Sequence, residues 1–287
     1  MQIAKMNSPP PLSAPRTIQP PSFSPSRLLS QFWRLTEYWD LLLTLSLHRI
    51  RIRYKQSLLG GAWAVFQPLS LMIIYTIIFS KVARMPSEGA PYAIFVYVAM
   101  LPWNFFAASL TSASNSLVSH NTLITKVYFP WEVLPLSYLV ATSIDFLIGV
   151  LVLIPLFVWF QMGVTLHVLW VIPLMALAAA FVFSLSMILA TIQVYFRDIG
   201  LALPLLLQLW MFASPVVYPL SAVPERFQAW FVLNPMAGIV DGVRRCVLHG
   251  ASPDFHSLRI SLLTVLLLLP VAYGFFKHKE ASMADVI

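Results

Sequence analysis

The chain has 287 residues, of which 59% are apolar and only 10% are charged. A soluble domain carries about 25% charged residues, so this composition excludes an ordinary soluble protein and predicts helices that face lipid. The net charge is +7, but no nucleic-acid partner is expected, and one cysteine excludes an intrachain disulfide. The six histidines and Cys246 lack metal-ligand spacing, so no metal site is predicted.

The N-terminal region is predicted to have two parts. Residues 1–27 are rich in proline and serine and lack the apolar core of a signal peptide, which predicts a disordered tail. Residues 28–55 are predicted as a cytoplasmic interfacial helix, because apolar side chains recur there at helical spacing between charged ones. A strand-like alternation over 43–54 is set aside, since a lone strand would have no partner. The expected interfacial anchors are Trp33, Trp39, Arg51 and Arg53.

Membrane-spanning helices need about 20 predominantly apolar residues, and six stretches of the chain qualify. The sequence therefore predicts an all-α integral membrane protein with six transmembrane helices within residues 56–277 and a cytoplasmic tail over 278–287. The expected spans are roughly 62–80, 92–117, 133–160, 168–196, 199–220 and 260–276.

The basic residues predict the orientation of the bundle. Arg49, Arg51, Arg53 and Lys55 lie directly before the first predicted span. Cytoplasmic loops are enriched in lysine and arginine. With six spans, both termini are therefore placed in the cytoplasm.

Two connections have unusual patterns. The 118–132 loop predicts a short helix from Asn121 to Pro130, capped by Asn121, with Leu123, Ile124, Val127 and Tyr128 on one face. Such a helix can dock in a partner's groove or rest on lipid. Residues 221–256 contain two short apolar pieces, 227–233 and 236–248, which are predicted as re-entrant or surface helices on the outer side.

The second predicted span carries candidate pore residues. Asn104, Thr111 and Asn115 share one helical face, and both pore lining and ordinary helix packing explain such a stripe. Trp103, Phe105 and Phe106 are candidates for contact with sugar rings, or for packing alone. Asp145, an acid deep in the third predicted span, is expected to face protein or water, in either a functional or a structural role.

Five motifs carry a family resemblance. They are RYKQSLLG at 53–60 followed by WAVFQP at 63–68, TKVYFPWEVLP at 125–135, YFRDI at 195–199, SPVVYP at 214–219 and NPM at 234–236. Together they resemble the permease subunits of ABC-type polysaccharide exporters, the family for O-antigen, capsule and teichoic-acid export. One departure is His48-Arg49, where the family often has Arg-Asp, so an acidic site is missing.

The resemblance implies a partnership. It predicts a bacterial inner-membrane complex in which two copies of the chain form a pore and two separate ABC ATPase subunits bind below. The chain lacks the G-x-x-x-x-G-K-[ST] loop that holds nucleotide phosphates. No cofactor is therefore expected in this chain, and ATP and Mg²⁺ are assigned to the partner ATPase.

The roles in ATPase coupling follow from the same resemblance. No catalytic residue is predicted. ATPase coupling is assigned to Asn121, Leu123, Ile124, Lys126, Val127, Tyr128, Arg197 and Asp198. For Arg197 and Asp198 the alternative is an ordinary solvated turn. An outer gate, which either meets phosphate or sugar or merely holds a local ion pair, is assigned to Asn234, Pro235, Asp241, Arg244 and Arg245.

The expected function is export of an undecaprenyl-linked glycan. Two alternatives stay open: a polytopic enzyme such as an acyl- or glycosyltransferase, and an exporter permease for another substrate. An enzyme should place several acids, histidines or a metal set at a membrane face. The sequence places no second carboxylate or histidine deep in a predicted span with Asp145, and this favours a transporter.

Overall fold

The computed structural model describes residues 35–55 and 60–286 and consists of helices with connecting turns, without a strand in those ranges. The predicted 1–27 tail, Trp33 and the side chain of Arg53 lie outside what it describes. The helices are α1 (Trp39–Lys55), α2 (Trp63–Tyr75), α3 (Tyr92–Ser114), α4 (Ser116–Ser119), α5 (Asn121–Lys126), α6 (Val133–Trp159), α7 (Val171–Tyr195), α8 (Ile199–Phe212), α9 (Glu225–Val232), α10 (Pro235–Leu248) and α11 (Phe255–Ala284).

Five described helices are long and apolar enough to cross a membrane, so the chain is an all-α, multi-pass membrane protein. Helix α2 reaches this length because 3₁₀ and π turns extend it over Gly60–Val82. The predicted fifth span is shorter than expected, since α8 is a 14-residue helix. The last span is longer than expected, because α11 begins where Asp254 caps it and continues to Ala284.

Helix α3 lies at the centre of the bundle. Of the 18 most apolar consecutive residues of α3, 78% are buried, whereas only 6% of those in the Gly60–Val82 helix are buried. It packs against α6, α7 and α10. The hydroxyl of Tyr97 donates to the carbonyl oxygen of Gly149 on α6 at 3.0 Å, and Ser109 lies 2.5 Å from Thr142. These contacts make α3 the helix around which the others are arranged, and they leave α2 on the periphery.

The bundle has two distinct ends. The end that carries α1, here named the α1 end, also holds α4 and α5, the start of α6, the turn between α7 and α8, and the end of α11. Direct contacts establish this grouping: Ser46 of α1 donates to the carbonyl of Ser137, Gln193 donates to Asn115, and Tyr273 donates to Glu132. The opposite end holds α9, α10 and the connection before α3.

The chain leaves the helical path after α8. The sequence predicted a span through residue 220, but the helix ends at Phe212 and the following segment, Ser214–Tyr218, is not helical. Three carbonyl groups of this segment instead accept hydrogen bonds from the Arg244 guanidinium. Irregular backbone inside a membrane protein needs partners of this kind. The prediction was wrong here because an average of hydropathy registers neither Pro215 and Pro219, which disfavour helix, nor a donor 26 to 29 residues away.

Two short helices follow in the region predicted as the outer gate. Their bounds, Glu225–Val232 and Pro235–Leu248, confirm the expectation of two helices too short to span. Asn234 separates them and caps α10, since its side-chain oxygen accepts from the Met236 N–H at 3.1 Å. Proline at the first position of α10 suits a helix start.

Candidate functional site

A cavity of about 720 Å³ lies between α2, α3, α6 and α8. Its wall combines aromatic rings, apolar side chains and uncharged polar groups with one carboxylate, Asp145. Ligand sites commonly combine apolar and aromatic walls with a few polar groups. The aromatic members are Trp63, Trp103, Phe105 and Phe146, and the polar members are Gln67, Asn104, Thr111, Ser112, Thr142, Asp145 and Gln208.

The structure separates the three aromatic residues predicted for α3. Trp103 and Phe105 line the cavity while most of each side chain is buried. Phe106 faces the interior of the bundle, fully buried, where it stacks on Phe181 and meets Trp210 edge to face. In this conformation Phe106 therefore supports the wall from behind, and its contact with sugar remains a prediction.

The polar stripe of α3 is divided between two cavities. Asn104 and Thr111 line the larger cavity. Asn115 lies at the far end of the stripe and accepts a 2.8 Å hydrogen bond from Gln193. Thr111 and Asn115 also border a second cavity of about 340 Å³ beside Arg197. The stripe thus runs from the interior of the bundle to the α1 end, as a path for a polar molecule would.

The predicted coupling helix is shorter than expected. Helix α5 ends at Lys126, and Val127 is extended, so Val127 and Tyr128 do not share a helical face with Leu123 and Ile124. A proline disfavours helical conformation in the residue before it, and Pro130 has this effect on Phe129. The prediction that Asn121 caps the helix was also wrong, because His120 occupies the cap position and the Asn121 oxygen accepts from Thr122.

The two halves of this segment have different surroundings. Leu123 and Ile124 pack against the core, whereas Val127 is 49% exposed and Tyr128 is 96% exposed. The α7–α8 turn at the same end presents Arg197 and Asp198 to solvent as well. The exposed residues of the two turns, which include Lys126, form what we name the α1-end surface: Lys126, Val127, Tyr128, Phe196, Arg197 and Asp198.

Helix α1 is fixed to the start of α6. The Arg49 Nε donates to the Ser137 hydroxyl at 3.0 Å, and its guanidinium carbon lies 3.2 Å from the centre of the Tyr138 ring. Burial lowers the pKa of Arg49 to about 9. Where the family often has an acidic residue, this arginine therefore holds α1 on the bundle. The expected anchors Trp39 and Arg51 are exposed, as lipid contact requires.

A buried ion pair that the sequence reasoning missed lies nearby. Glu132, the residue before α6, is 1% exposed, and its Oε1 is 2.7 Å from Lys277 Nζ. The sequence did contain a signal, because Glu132 follows Pro130-Trp131 in one of the family motifs. Its partner is 145 positions later, and no local pattern reveals that contact.

Arg244 at the opposite end is the most deeply buried charge among the described residues, at 0% exposed. Its Nη2 atom donates to the carbonyls of Pro215 and Val216 at 2.8 and 2.9 Å, and the guanidinium lies over the Phe95 ring. Asn234 joins the same arrangement, because its amide donates to Ala213 and Ser214. Arg244, Asn234 and the buried Pro235 therefore hold the break after α8 in place.

Asp241 and Arg245 occupy a separate cavity of about 620 Å³ at the same end. The Asp241 carboxylate has no hydrogen-bond or ion-pair partner within the described ranges, so the predicted local pair with Arg244 or Arg245 does not form at ion-pair distance. Burial raises the pKa of Asp241, while the charges of Arg244 and Arg245 lower it. Glu88 and His249 also line this cavity, and the Oε2 atom of Glu88 lies 3.5 Å from Nε2 of His249.

Comparison with known proteins gives these features a context. Residues 41–248 match the family described as ABC-2 type transporter. The chain is 30% identical to an O-antigen export system permease protein RfbA of Myxococcus xanthus, over 88% of this chain and 97% of that protein. A Klebsiella pneumoniae protein of the same name is 28% identical over 89% of this chain and 98% of its own length. The polysialic acid transport protein KpsM of Escherichia coli is 22% identical, over 83% and 93% respectively.

Proposed function

Since the chain belongs to the ABC-2 type transporter family, we propose that it is the membrane-spanning subunit of an ATP-driven polysaccharide exporter in the bacterial inner membrane. The observation that carries the proposal is its similarity to O-antigen export permeases over nearly the whole length of both chains. The cargo is a lipid-linked, O-antigen-like glycan carried on undecaprenyl. This class is favoured over polysialic acid because identity to the O-antigen permeases is higher, 28–30% against 22%.

The cavity between α2, α3, α6 and α8 is the proposed glycan path. Sugars present C–H faces that pack on aromatic rings, and Trp103 and Phe105 offer such rings beside the amide of Asn104. The hydroxyl of Thr111 continues the polar wall toward the α1 end. A wall with amides, hydroxyls and a single carboxylate suits the neutral hydroxyl groups of a sugar. These groups can exchange one hydrogen bond for another as the glycan moves.

Energy is proposed to enter at the α1-end surface. Tyr128 is almost fully exposed beside the exposed Val127, and a soluble partner would bury both. Arg197 and Asp198 add charges of both signs at the neighbouring turn. We assign this surface to two separate ATPase subunits, which hold ATP and Mg²⁺ in the complex.

The assembly is proposed to contain two copies of the chain with their termini in the cytoplasm. Only 6% of the residues in the most apolar part of the Gly60–Val82 helix are buried. Its exposed side chains include Phe66, Ile73 and Ile77. Helix α8 exposes Leu205 and Leu209 in the same way. Both helices line the cavity, so a second copy placed against them would close the glycan path on its open side.

Disruption of the gene in its own host tests this function. We expect surface polysaccharide to disappear while complete lipid-linked glycan accumulates inside the cell, and a plasmid copy should restore export. An acyl- or glycosyltransferase would instead leave the glycan unfinished or chemically altered. Unchanged surface polysaccharide in the disrupted strain would reject the exporter proposal.

A further inference from the structure

Helix α11 is joined to the segment before α6 by a buried polar cluster. Glu132 Oε1 accepts from Tyr273 at 2.9 Å and from Lys277 at 2.7 Å. Lys277 also pairs with Glu280 at 2.9 Å, one turn further along α11. The cluster comprises Glu132, Tyr273, Lys277 and Glu280. Glu132 and Lys277 are only 1% and 13% exposed, so water screens their interaction little.

The cluster lies close to the exposed α1-end surface. Helix α11 packs mainly against α7 and α10, and the cluster is where it meets the start of α6. Glu132 is separated from the exposed Tyr128 by three residues, of which Phe129 is buried. Because only three residues separate the two, a partner that moves the whole segment from Tyr128 to Glu132 would act directly on the buried pair.

The other carboxylate oxygen of Glu132 supports a role beyond stability. Oε2 is buried and has no hydrogen-bond partner within the described residues. A buried polar atom without a partner costs free energy, so this conformation leaves the pair incompletely satisfied. A second arrangement, in which Lys277 or Tyr273 shifts to the free oxygen, would keep the ion pair while α11 moves relative to α6.

We propose that Glu132 and Lys277 are positioning residues that transmit movement of the α1-end surface to α11. The inference rests on the proposed function, because it supposes that a partner drives this surface. It adds a specific route, from the ATPase contact at Tyr128 through Glu132 to the last span. Because coupling between sites requires a physical link whose state both sites bias, breaking the pair should separate ATP hydrolysis from export.

The experiment reverses the two charges singly and together. The purified exporter with its ATPase, reconstituted in vesicles, is compared as wild type, Glu132→Lys, Lys277→Glu, the double reversal, and Lys279→Met as a matched control on the same helix. We expect each single reversal to keep the ATPase bound and hydrolysing ATP, while glycan exported per ATP falls about tenfold. The double reversal places a lysine between two acids and should recover most of the ratio, and Lys279→Met should match wild type.

The isosteric variants Glu132→Gln and Lys277→Met carry the test if a reversal prevents insertion. They remove the charge with little change in volume, so the same fall in export per ATP is expected. A ratio equal to wild type in single variants, or a parallel loss of ATP turnover and export that the double reversal does not restore, would overturn the inference. Absence of export by the wild-type complex would instead reject the proposed function, and the inference would fall with it.

Discussion

Replacement of the buried Arg244 should reduce the stability of the protein. Its guanidinium donates to three carbonyl groups of the non-helical segment after α8, at 2.8, 2.9 and 3.4 Å. Methionine has a similar length and no donor, so Arg244→Met leaves those carbonyls without their partner. The two shorter bonds dominate, because the 3.4 Å contact is long for a hydrogen bond.

The magnitude follows from those two bonds. A buried acceptor left unsatisfied costs about 1–3 kcal/mol. For the two together we expect a loss of about 2–6 kcal/mol in the free energy of unfolding. With a shift of roughly 2–4 °C per kcal/mol for a chain of this size, the Tm should fall by about 10 °C.

Thermal unfolding of the purified protein in lipid nanodiscs measures this effect. Arg245→Met is the matched control, since Arg245 is the next residue of α10 but is exposed, and its Tm should stay close to wild type. Arg244→Lys should fall between the two, because an ammonium group cannot reach all three carbonyls in the geometry of a guanidinium. A Tm for Arg244→Met equal to that of Arg245→Met would refute the reasoning.

Three further predictions concern the cavities and the α1-end surface. Val127→Asp should abolish co-purification of the ATPase while the stability of the chain changes by no more than about 0.5 kcal/mol, because Val127 is exposed; retention of the partner would contradict the docking assignment. Ala108 of α3 lines the larger cavity, so Ala108→Trp should fill it and reduce export at an unchanged membrane level, whereas Ala108→Ser should export normally; equal export by both variants would remove the cavity from the glycan path. Asp241→Asn should raise the Tm at pH 7, because burial raises the pKa of Asp241 and its ionised form then opposes folding above the ordinary carboxyl range. That gain should disappear below about pH 4, where Asp241 is protonated in both the folded and unfolded chain, and a pH-independent difference would contradict it.

The helical architecture could be predicted from the sequence because lipid imposes a simple length rule. Five of the six apolar stretches predicted as spans form helices of spanning length, and the prolines and glycines of the 221–256 region predicted its two short helices. The boundary of α8 could not be found this way. Pro215 and Pro219 interrupt residues 213–220 and disfavour helix there, which an average of hydropathy does not register. Arg244, Asn234 and Tyr92 then bond the freed backbone from other elements.

The candidate site was predicted in part for a similar reason. Helical spacing on α3 placed Asn104 and Thr111 on one face, and the structure brings both to the cavity with Trp103 and Phe105. The spacing could not tell that Phe106, one position further, faces Phe181 and Trp210. The Glu132–Lys277 pair was missed because its two members are distant in sequence and each, taken alone, resembles an ordinary charge at the end of a span.

ATP-dependent movement of glycan by the purified complex tests the account most directly. The chain and its ATPase are reconstituted in vesicles that carry labelled lipid-linked glycan on the outer leaflet, with the ATPase facing outward. Addition of ATP and Mg²⁺ should move the glycan into the lumen, where it becomes protected from an external glycosidase, while a non-hydrolysable ATP analogue or the Val127→Asp variant should leave it accessible. Protection that is independent of ATP hydrolysis, or no protection at all with an active ATPase bound, would contradict the assignment of this chain as the membrane-spanning subunit of a polysaccharide exporter.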